Sequence, residues 1–141
     1  MRRKLVGAFI VVVVLVIIGI ICVVLVQGMK QSSQESKSKS TSDTFINYIT
    51  SSKTDEAYTL LTDTAKKSES KLDWQRKAND YAVFFIDATI GEPKITNEDD
   101  KTIVTYNVIL HNKTEAEITV YLKSQDDGGQ KIDYFLVRLK E

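Results

Sequence analysis

The pattern of apolar and polar positions divides the chain into three stretches, and the first is apolar throughout. Residues 5–26 include no Asp, Glu, Lys, Arg, Asn or Gln. A helix over these 22 residues is about 33 Å long, close to the roughly 30 Å thickness of a bilayer's hydrocarbon core. A core helix of a soluble protein would keep a polar face, which this segment lacks. The pattern therefore predicts one transmembrane helix over residues 5–26, in contact with the lipid bilayer.

The charges beside this segment predict its orientation. Arg2, Arg3 and Lys4 precede it, whereas only Lys30 follows it closely. Positive residues are retained on the cytoplasmic side of a membrane. We therefore expect residues 1–4 to form a cytoplasmic stub. The span would be a single-pass signal anchor in the cell membrane, with the C-terminal part outside, in an extracytoplasmic location.

Three other interpretations use the same segment. Cleavage as a signal peptide near Val26 stays open, although the apolar stretch exceeds the roughly 7–15 residues of a secretory signal. Lipidation at Cys22 is disfavoured, because bulky Ile21 precedes it and the apolar run continues beyond it. A pilin leader ending at Gly7 is disfavoured, because Val12 stands where pilins carry a glutamate.

The second stretch, residues 27–42, is polar, and Met29 is its only large apolar residue. Gln and Lys separate most of its serines, which are Ser32, Ser33, Ser36, Ser38, Ser40 and Ser42. Such a segment buries too little surface to offset the entropy of ordering it. As a flexible coil its ends would lie about 20–24 Å apart. The composition predicts a flexible tether over residues 27–42, followed by a folded domain at residues 43–141.

The third stretch begins with helical periodicity. Asp43, Thr54 and Ser70 are suitable N-caps, and Asp73 three residues after Ser70 completes a helix start signal. Each cap precedes apolar residues at helical spacing. The apolar positions of the three predicted helices are Phe45, Ile46 and Ile49; Ala57, Tyr58, Leu60 and Leu61; and Trp74, Ala78, Tyr81, Ala82 and Phe85.

From residue 104 onward the period changes to two, which is typical of strands. Residues 104–110 and 116–122 alternate, and the short connection 111–114 predicts a hairpin. Residues 126–129 form a second turn signal. The last strand, about 131–139, is apolar on both faces, so it is either covered on both sides or bulged. A further strand around Pro93 would lie at an edge or a bulge.

These elements predict an α+β fold, with helices packed on one face of a curved antiparallel sheet of about four strands. A fragment starting near Asp43 should then fold by itself. Trp74→Ala should cost roughly 3–5 kcal/mol, as for a large buried aromatic residue.

Charge and cysteine content exclude several classes of partner. The chain has 19 acidic and 19 basic residues, and the part after residue 26 has a net charge of −3. This balance argues against nucleic acid as a partner, since phosphate binding requires a basic surface. It also argues against a second, electrostatic attachment to anionic lipid. Because Cys22 is the only cysteine, the outer domain has neither an internal disulfide nor a thiolate metal site.

Several of these features together resemble a known group of proteins. The segments 45–49, 55–62 and 70–74, followed by a strand meander, resemble small membrane-attached bacterial domains of the nuclear-transport-factor-two-like superfamily, which include uncharacterised lipoproteins and anchored proteins. Relatives often carry Gly-Asp where this chain has Thr54-Asp55, and a tryptophan that residues 129–132 lack. The resemblance implies a cystatin-like cone, in which a bent sheet wraps a helix and leaves an apolar hollow. It does not imply one function, because the superfamily includes isomerases, dehydratases, secretion components and binding modules.

Candidate chemistry is sparse. His111 is the only histidine and follows a strand at a turn, and the acidic pairs Asp99-Asp100 and Asp126-Asp127 do not fit a calcium loop. No phosphate loop, nucleophile motif or cofactor fingerprint is visible. The sequence therefore predicts no catalytic, cofactor-binding or metal-binding residue. Asp87 is the one alternative: near apolar walls its pKa could rise and let it act as a base, as superfamily isomerases use Asp and Tyr.

Two functions are therefore compared. The first is a non-catalytic, extracytoplasmic binding or accessory module with a protein partner at the cell envelope, as in a secretion or conjugation-type assembly. The alternative is a small enzyme, or a carrier of apolar ligands, that uses the hollow of the cone. The enzyme requires Asp87 to point into an accessible pocket. It fails if Asp87 faces solvent, or if Trp74 and Phe85 fill the hollow.

Overall fold

The computed structural model describes the backbone of residues 2–140 and the side chains of residues 16–140. The predicted stub at 1–4 and the predicted span up to residue 15 therefore lie outside the residues whose side chains are described. The chain divides into two compact units, Met1–Gln34 and Glu35–Glu141. We describe each unit by itself.

The helices come first along the chain and the strands follow. The elements are α1 (Arg2–Thr50), α2 (Thr54–Thr59), α3 (Asp63–Ser68), α4 (Lys71–Phe84), β1 (Thr89–Ile90), β2 (Lys94–Glu98), β3 (Lys101–Ile109), β4 (Glu115–Ser124) and β5 (Gln130–Leu139). All strand pairs are antiparallel. The predicted α+β fold is confirmed, with five strands in place of about four.

In the first unit, the helix exposes its apolar side chains. From Val16 to Val26 the large apolar residues keep between 47% and 61% of their surface exposed. Among the described residues, this is the one helix long and apolar enough to cross a membrane. Its composition and exposure fit the predicted span.

The prediction of a flexible tether over residues 27–42 is wrong, because α1 continues through them as helix. Some of their serines form a buried face of this helix. Ser38 and Ser42 are fully buried, and they lie four residues apart on the side that also buries Phe45 and Ile49. Small side chains at these positions let the helix approach the sheet closely. The second unit therefore starts at Glu35 rather than at residue 43.

The sheet has the order β1-β3-β4-β5, and β2 also pairs with β3. The hairpin at residues 111–114 and the turn at 126–129 join β3 to β4 and β4 to β5, as predicted. Pro93 lies between β1 and β2, which pair with β3 in registers that differ by one residue. The predicted strand around Pro93 is thus two short strands separated by an irregularity at an edge.

The last strand contains the bulge that was one of the two alternatives for it. Tyr121 pairs with Tyr134, whereas Leu122 pairs with Ile132. Asp133 is therefore an extra residue in β5. The bulge shifts the alternation of β5 by one residue, so that even-numbered side chains face the core before Asp133 and odd-numbered ones after it. This shift explains why the strand is apolar at both odd and even positions.

One face of the sheet carries the core. Its buried residues alternate along β3 and β4 and pack against apolar residues of the helices. The sheet contributes Val104, Tyr106, Val108, Ala116, Ile118, Val120, Leu122 and Ile132, and the helices contribute Phe45, Ile46, Ile49, Ala57, Trp74, Ala78 and Ala82. The buried position expected for Trp74 is confirmed.

The helix starts were partly predicted. Ser70 caps α4 as predicted, because its Oγ accepts a hydrogen bond from the Asp73 N–H at 3.2 Å. Thr54 is the first residue of α2, and its cap position belongs to Lys53, which provides no side-chain bond. The short helix α3 was not predicted. Thr62 caps it by accepting from the Ala65 N–H at 3.1 Å.

Candidate functional site

The residues singled out for chemistry lie apart from one another. Asp87 is exposed and adopts a left-handed backbone conformation, with φ of 56°, at the turn after α4. His111 is exposed in the β3–β4 turn. Asp127 accepts a hydrogen bond from the Gly129 N–H at 2.8 Å and so stabilises its own turn. Residues 16–140 contain no cluster of three side chains suited to a metal ion.

The expected hollow between sheet and helices is filled. Trp74 and Phe85 are only 6% and 4% exposed. One small cavity of about 10 Å³ lies between the helices and the sheet. Its lining consists of Phe45, Ile46, Ile49, Thr50, Phe85, Ile118 and Phe135. Phe84, the neighbour of Phe85 in the chain, keeps 38% of its surface exposed.

An open groove lies instead beside β5, where the segment from α3 to α4 faces that strand. Its volume is about 300 Å³. Its lining comprises Leu61, Ala65, Ser68, Glu69, Trp74, Lys77, Tyr81, Asp133, Tyr134, Phe135 and Leu136. The groove is therefore mainly apolar and aromatic, with a few polar groups, as is usual in binding sites.

Aromatic contacts hold the walls of this groove in place. Phe135 is the centre of the set: its ring lies 5.1 Å from Tyr81 and 5.2 Å from Phe45, each edge to face. Trp74 packs edge to face on Tyr58 at 5.5 Å. Edge-to-face pairs of this kind are favourable beyond the area they bury. The groove is therefore preformed by residues that also belong to the core.

The polar groups of the groove are already paired. Lys77 forms a 2.8 Å ion pair with Glu69 at its rim. The Asp133 side chain, 12% exposed, accepts a 3.2 Å hydrogen bond from the Thr62 hydroxyl and lies 3.7 and 3.8 Å from Lys101 and Lys123. Asp133 thus links α3 to the outer face of the sheet. Such paired charges position the walls and leave the apolar surface for contact.

The backbone of β5 forms one side of the groove, and half of its hydrogen-bonding groups face outward. The Lys140 N–H donates to the Glu115 carbonyl at 2.9 Å. Because inward and outward groups alternate along an antiparallel strand, Phe135, Val137 and Leu139 direct their N–H and C=O groups away from β4. Within the described part of the chain, none of these three residues has a backbone hydrogen bond on that side.

The opposite end of the same strand is covered. Ile132 donates to the Leu60 carbonyl at 2.9 Å and accepts from the Thr62 N–H at 2.8 Å. These two bonds form an isolated parallel bridge between Leu61 and Ile132. The open edge therefore starts after the bulge at Asp133, next to the groove.

A second, more open cleft lies in the same unit between α1 and the β4–β5 turn. Its volume is about 560 Å³, and its lining comprises Ser36, Lys37, Ser40, Thr41 and residues 127–130. Lys37 crosses it and donates to the Gly128 carbonyl at 3.1 Å. Because its walls are polar and wide apart, we consider it a weaker candidate than the groove.

The most perturbed titratable group lies elsewhere. Burial, followed by a 2.6 Å hydrogen bond to Asp43, raises the pKa of the Tyr106 hydroxyl far above its usual value. Lys39 forms a 3.0 Å ion pair with the same Asp43. None of these residues lines the groove or the cleft. The set fastens α1 to the sheet.

No protein-family model matches the chain, and no curated protein sequence matches it. The groove was not predicted from the sequence. The available signal was the last strand, whose outer face carries Tyr134 and Leu136, 42% and 39% exposed.

Proposed function

We propose that the chain is a membrane-anchored, extracytoplasmic binding or accessory module of the cell envelope, which works without catalysis. Its N-terminal helix would hold it in the cell membrane with the N-terminus in the cytoplasm. The folded unit would bind a protein partner outside, for example in a secretion or conjugation-type assembly. Its resemblance to the nuclear-transport-factor-two-like superfamily, and to the cystatin-like cone, belongs to this proposal.

The observation that carries the proposal is the preformed groove beside the open edge of β5. An aromatic and apolar lining suits a protein side chain, and the adjacent backbone groups can bind main chain. The polar groups present are paired with one another, so they do not converge on a reacting atom. Asp87, the candidate base, is exposed and does not line the groove.

Binding of an apolar small molecule is the second candidate, and the groove volume favours it. About 300 Å³ is at the lower end of the usual range for ligand sites. A ligand carrier would bind the apolar ligand whether or not the β5 backbone is free. This difference separates the two candidates.

The experiment places a photo-crosslinking amino acid at Leu136, in the groove, of the full chain in its native cells. Asn112, exposed in the β3–β4 turn, is the control position. A discrete protein adduct from Leu136 and none from Asn112 is expected. Equal labelling from both positions, or none from Leu136, would contradict a specific partner at the groove.

Topology is tested separately by adding protease to intact spheroplasts. The proposal expects loss of the folded unit, since positive residues 2–4 should remain inside. Protection of the folded unit in intact spheroplasts, with digestion after lysis, would place it in the cytoplasm and end the extracytoplasmic proposal.

A further inference from the structure

The part of α1 that begins the second unit, residues 35–42, is attached to the sheet differently from the part that follows it. It consists of four serines, one threonine, two lysines and one glutamate, and so it has no apolar side chain. Residues 43–50 of the same helix bury Phe45, Ile46 and Ile49. Because burial of apolar surface is the main force that holds a helix against a sheet, residues 35–42 are held much less strongly than residues 43–50.

The contacts that fasten residues 35–42 to the rest of the unit are polar. Three of them, at 3.1, 3.1 and 3.5 Å, are the bond from Lys37 to the Gly128 carbonyl, the bond from the Asn97 amide to the Glu35 carboxylate and the ion pair of Lys39 with Glu92. All three are exposed to water, where such a contact contributes little to stability. They fix the position of the segment without holding it firmly.

Two buried polar groups oppose the attachment. The Ser38 side chain is fully buried, and its hydroxyl has no hydrogen-bond partner among the described residues. Gln130 of β5, which lines the cleft together with Lys37 and Thr41, is 9% exposed, and its Oε1 also lacks a partner in the described part of the chain. A buried polar group without a partner is costly, and contact with water removes that cost. Both groups therefore favour separation of the segment from the sheet.

The composition of the segment also limits its stability as a helix away from the sheet. Serine and threonine have low helix propensity, because their hydroxyls compete for backbone hydrogen bonds. We infer that residues 35–42 form a strap that opens: they detach from the sheet and unwind while residues 43–141 remain folded. The closed strap is the state described above. The inference concerns the second unit alone and does not depend on the proposed partner.

Opening of the strap changes the cleft beside the β4–β5 turn. In the closed state residues of the strap form one wall of this cleft, whose volume is about 560 Å³, and Lys37 crosses it to Gly128. Opening removes that wall and exposes Gln130 at the start of β5. Local opening of a weakly held element needs much less free energy than unfolding of the whole unit. The strap therefore controls access to the β4–β5 turn.

The test measures how fast a buried thiol reacts in the full chain purified in detergent. Cys22 is the only cysteine, so Cys22→Ala provides a background without thiols. In that background Ser38→Cys reports on the strap and Ala116→Cys on the fully buried centre of the sheet. We expect Ser38→Cys to react about tenfold faster than Ala116→Cys or more, and more slowly than Ser40→Cys, which is exposed. Equal rates at positions 38 and 116 overturn the inference, and so do equal rates at positions 38 and 40, because the strap would then never be closed.

Hydrogen exchange of the unmodified chain covers the case in which Ser38→Cys itself loosens the strap. Unwinding of the strap frees the backbone N–H groups of residues 39–42 and leaves those of residues 46–50 bonded. We therefore expect the first set to exchange about tenfold faster than the second or more, although both belong to α1. Uniform protection of the two sets overturns the inference, whatever the thiol rates.

Two matched pairs of variants test the cause of opening by the same exchange measurement. Ser38→Ala should slow exchange of the strap about fivefold more than Ser40→Ala, because both gain helix propensity and only the first removes an unpartnered buried hydroxyl. Lys37→Met should accelerate exchange about twofold to fivefold, because it removes the bond to Gly128 and keeps the helix propensity of lysine. Lys67→Met, at an exposed position of α3, should leave exchange of the strap unchanged. Equal effects within either pair overturn the strap as described.

Discussion

Two parts of the same helix treat their apolar side chains in opposite ways. In the first unit, Ile20 and Leu25 of α1 keep 59% and 61% of their surface exposed. In the second unit, Phe45 and Ile49 of α1 keep only 1% and 3%. The second part is thus stabilised by its contact with the sheet. The first part is long and apolar enough to cross a membrane.

The average composition of α1 does not show this difference between its two parts. Residues 5–26 contain no charged or amide side chain, so a helix over them has no polar face, as expected of a spanning helix. Residues 35–50 are mostly polar and bury a single stripe in which serine counts as a packing residue. The first pattern indicates a bilayer by its uniformity, and the second indicates a sheet by its periodicity.

The largest expected effect comes from placing charge on the first part. Ile17→Lys combined with Ile21→Lys puts two lysines four residues apart within the predicted span. Each should oppose insertion by about 2.5–3.5 kcal/mol at mid-helix. We expect the double variant to leave the membrane fraction, or to fail to insert, in carbonate extraction of native cells. The control, Ile17→Leu with Ile21→Leu, should fractionate like the unmodified chain.

A core substitution in the second part should cost nearly as much, but in folding rather than in insertion. Phe45→Ala removes a fully buried ring that packs on Phe135, and about 3–5 kcal/mol of unfolding free energy should be lost. Ile20→Ala, in the first part of the same helix, should leave unfolding of the second unit unchanged. Urea denaturation followed by Trp74 fluorescence measures both. Equal losses of unfolding free energy for Phe45→Ala and Ile20→Ala would show that the two parts of α1 do not differ in their contribution to folding.

The boundary between the two parts is tested by truncation. The fragment 35–141 should require more urea for half unfolding than the fragment 43–141. The shorter fragment loses the turns of α1 that bury Ser38 and Ser42 and place Lys37 on Gly128. Identical midpoints would restore the flexible tether that the composition predicted for residues 27–42.

Most of the fold followed from periodicity. The strands after residue 100, both of their turns and the start of α4 were predicted, because each depends on local alternation or on a cap residue that bonds its own helix. The bulge at Asp133 was one of two alternatives for an apolar strand. These features require only short-range information.

The rest depends on contacts between distant residues. Ser38 has the composition of a linker residue, and its burial depends on how α1 packs. The helix α3 is too short to show a period. The groove arises because Leu61 bridges to Ile132, so that α3 and α4 stand beside β5. No local pattern encodes that bridge. The exposure of Asp87 could not be predicted for the same reason, since it is set by where the turn after α4 lies.

A smaller effect should sharpen the role of serine in the second part. Ser38 is fully buried, and its hydroxyl has no hydrogen-bond partner among the described residues. Ser38→Ala should therefore stabilise the unit, by about 1 kcal/mol, because a buried unsatisfied hydroxyl is costly. Ser38→Leu should destabilise it by about 1–3 kcal/mol through overpacking. Urea denaturation of both variants provides the measurement, and a stabilising leucine would show that the helix does not pack closely there.

The smallest effect concerns a surface ion pair of the second unit, an interaction that the uncharged residues 5–26 cannot form. Lys71 at the start of α4 forms a 2.5 Å ion pair with Asp55 of α2. A hydrogen bond and the positive charge of Lys71 lower the pKa of Asp55 below its ordinary 3.8, and Asp55 in turn raises the pKa of Lys71 above 10.5. Asp55 contributes stability at pH values above its unfolded-state pKa, and this stability is lost as the pH falls through its lower folded-state pKa. Lys71 contributes stability at pH values below its unfolded-state pKa, and this stability is lost as the pH rises through its higher folded-state pKa. The coupling should thus be present between about pH 4 and pH 10 and weaken with salt, because both side chains are exposed. A double-mutant cycle of Asp55→Asn and Lys71→Gln, measured by urea denaturation at pH 7 and near pH 2, should give a favourable coupling only at pH 7. A coupling of the same size at both pH values would assign the contact to packing rather than to charge.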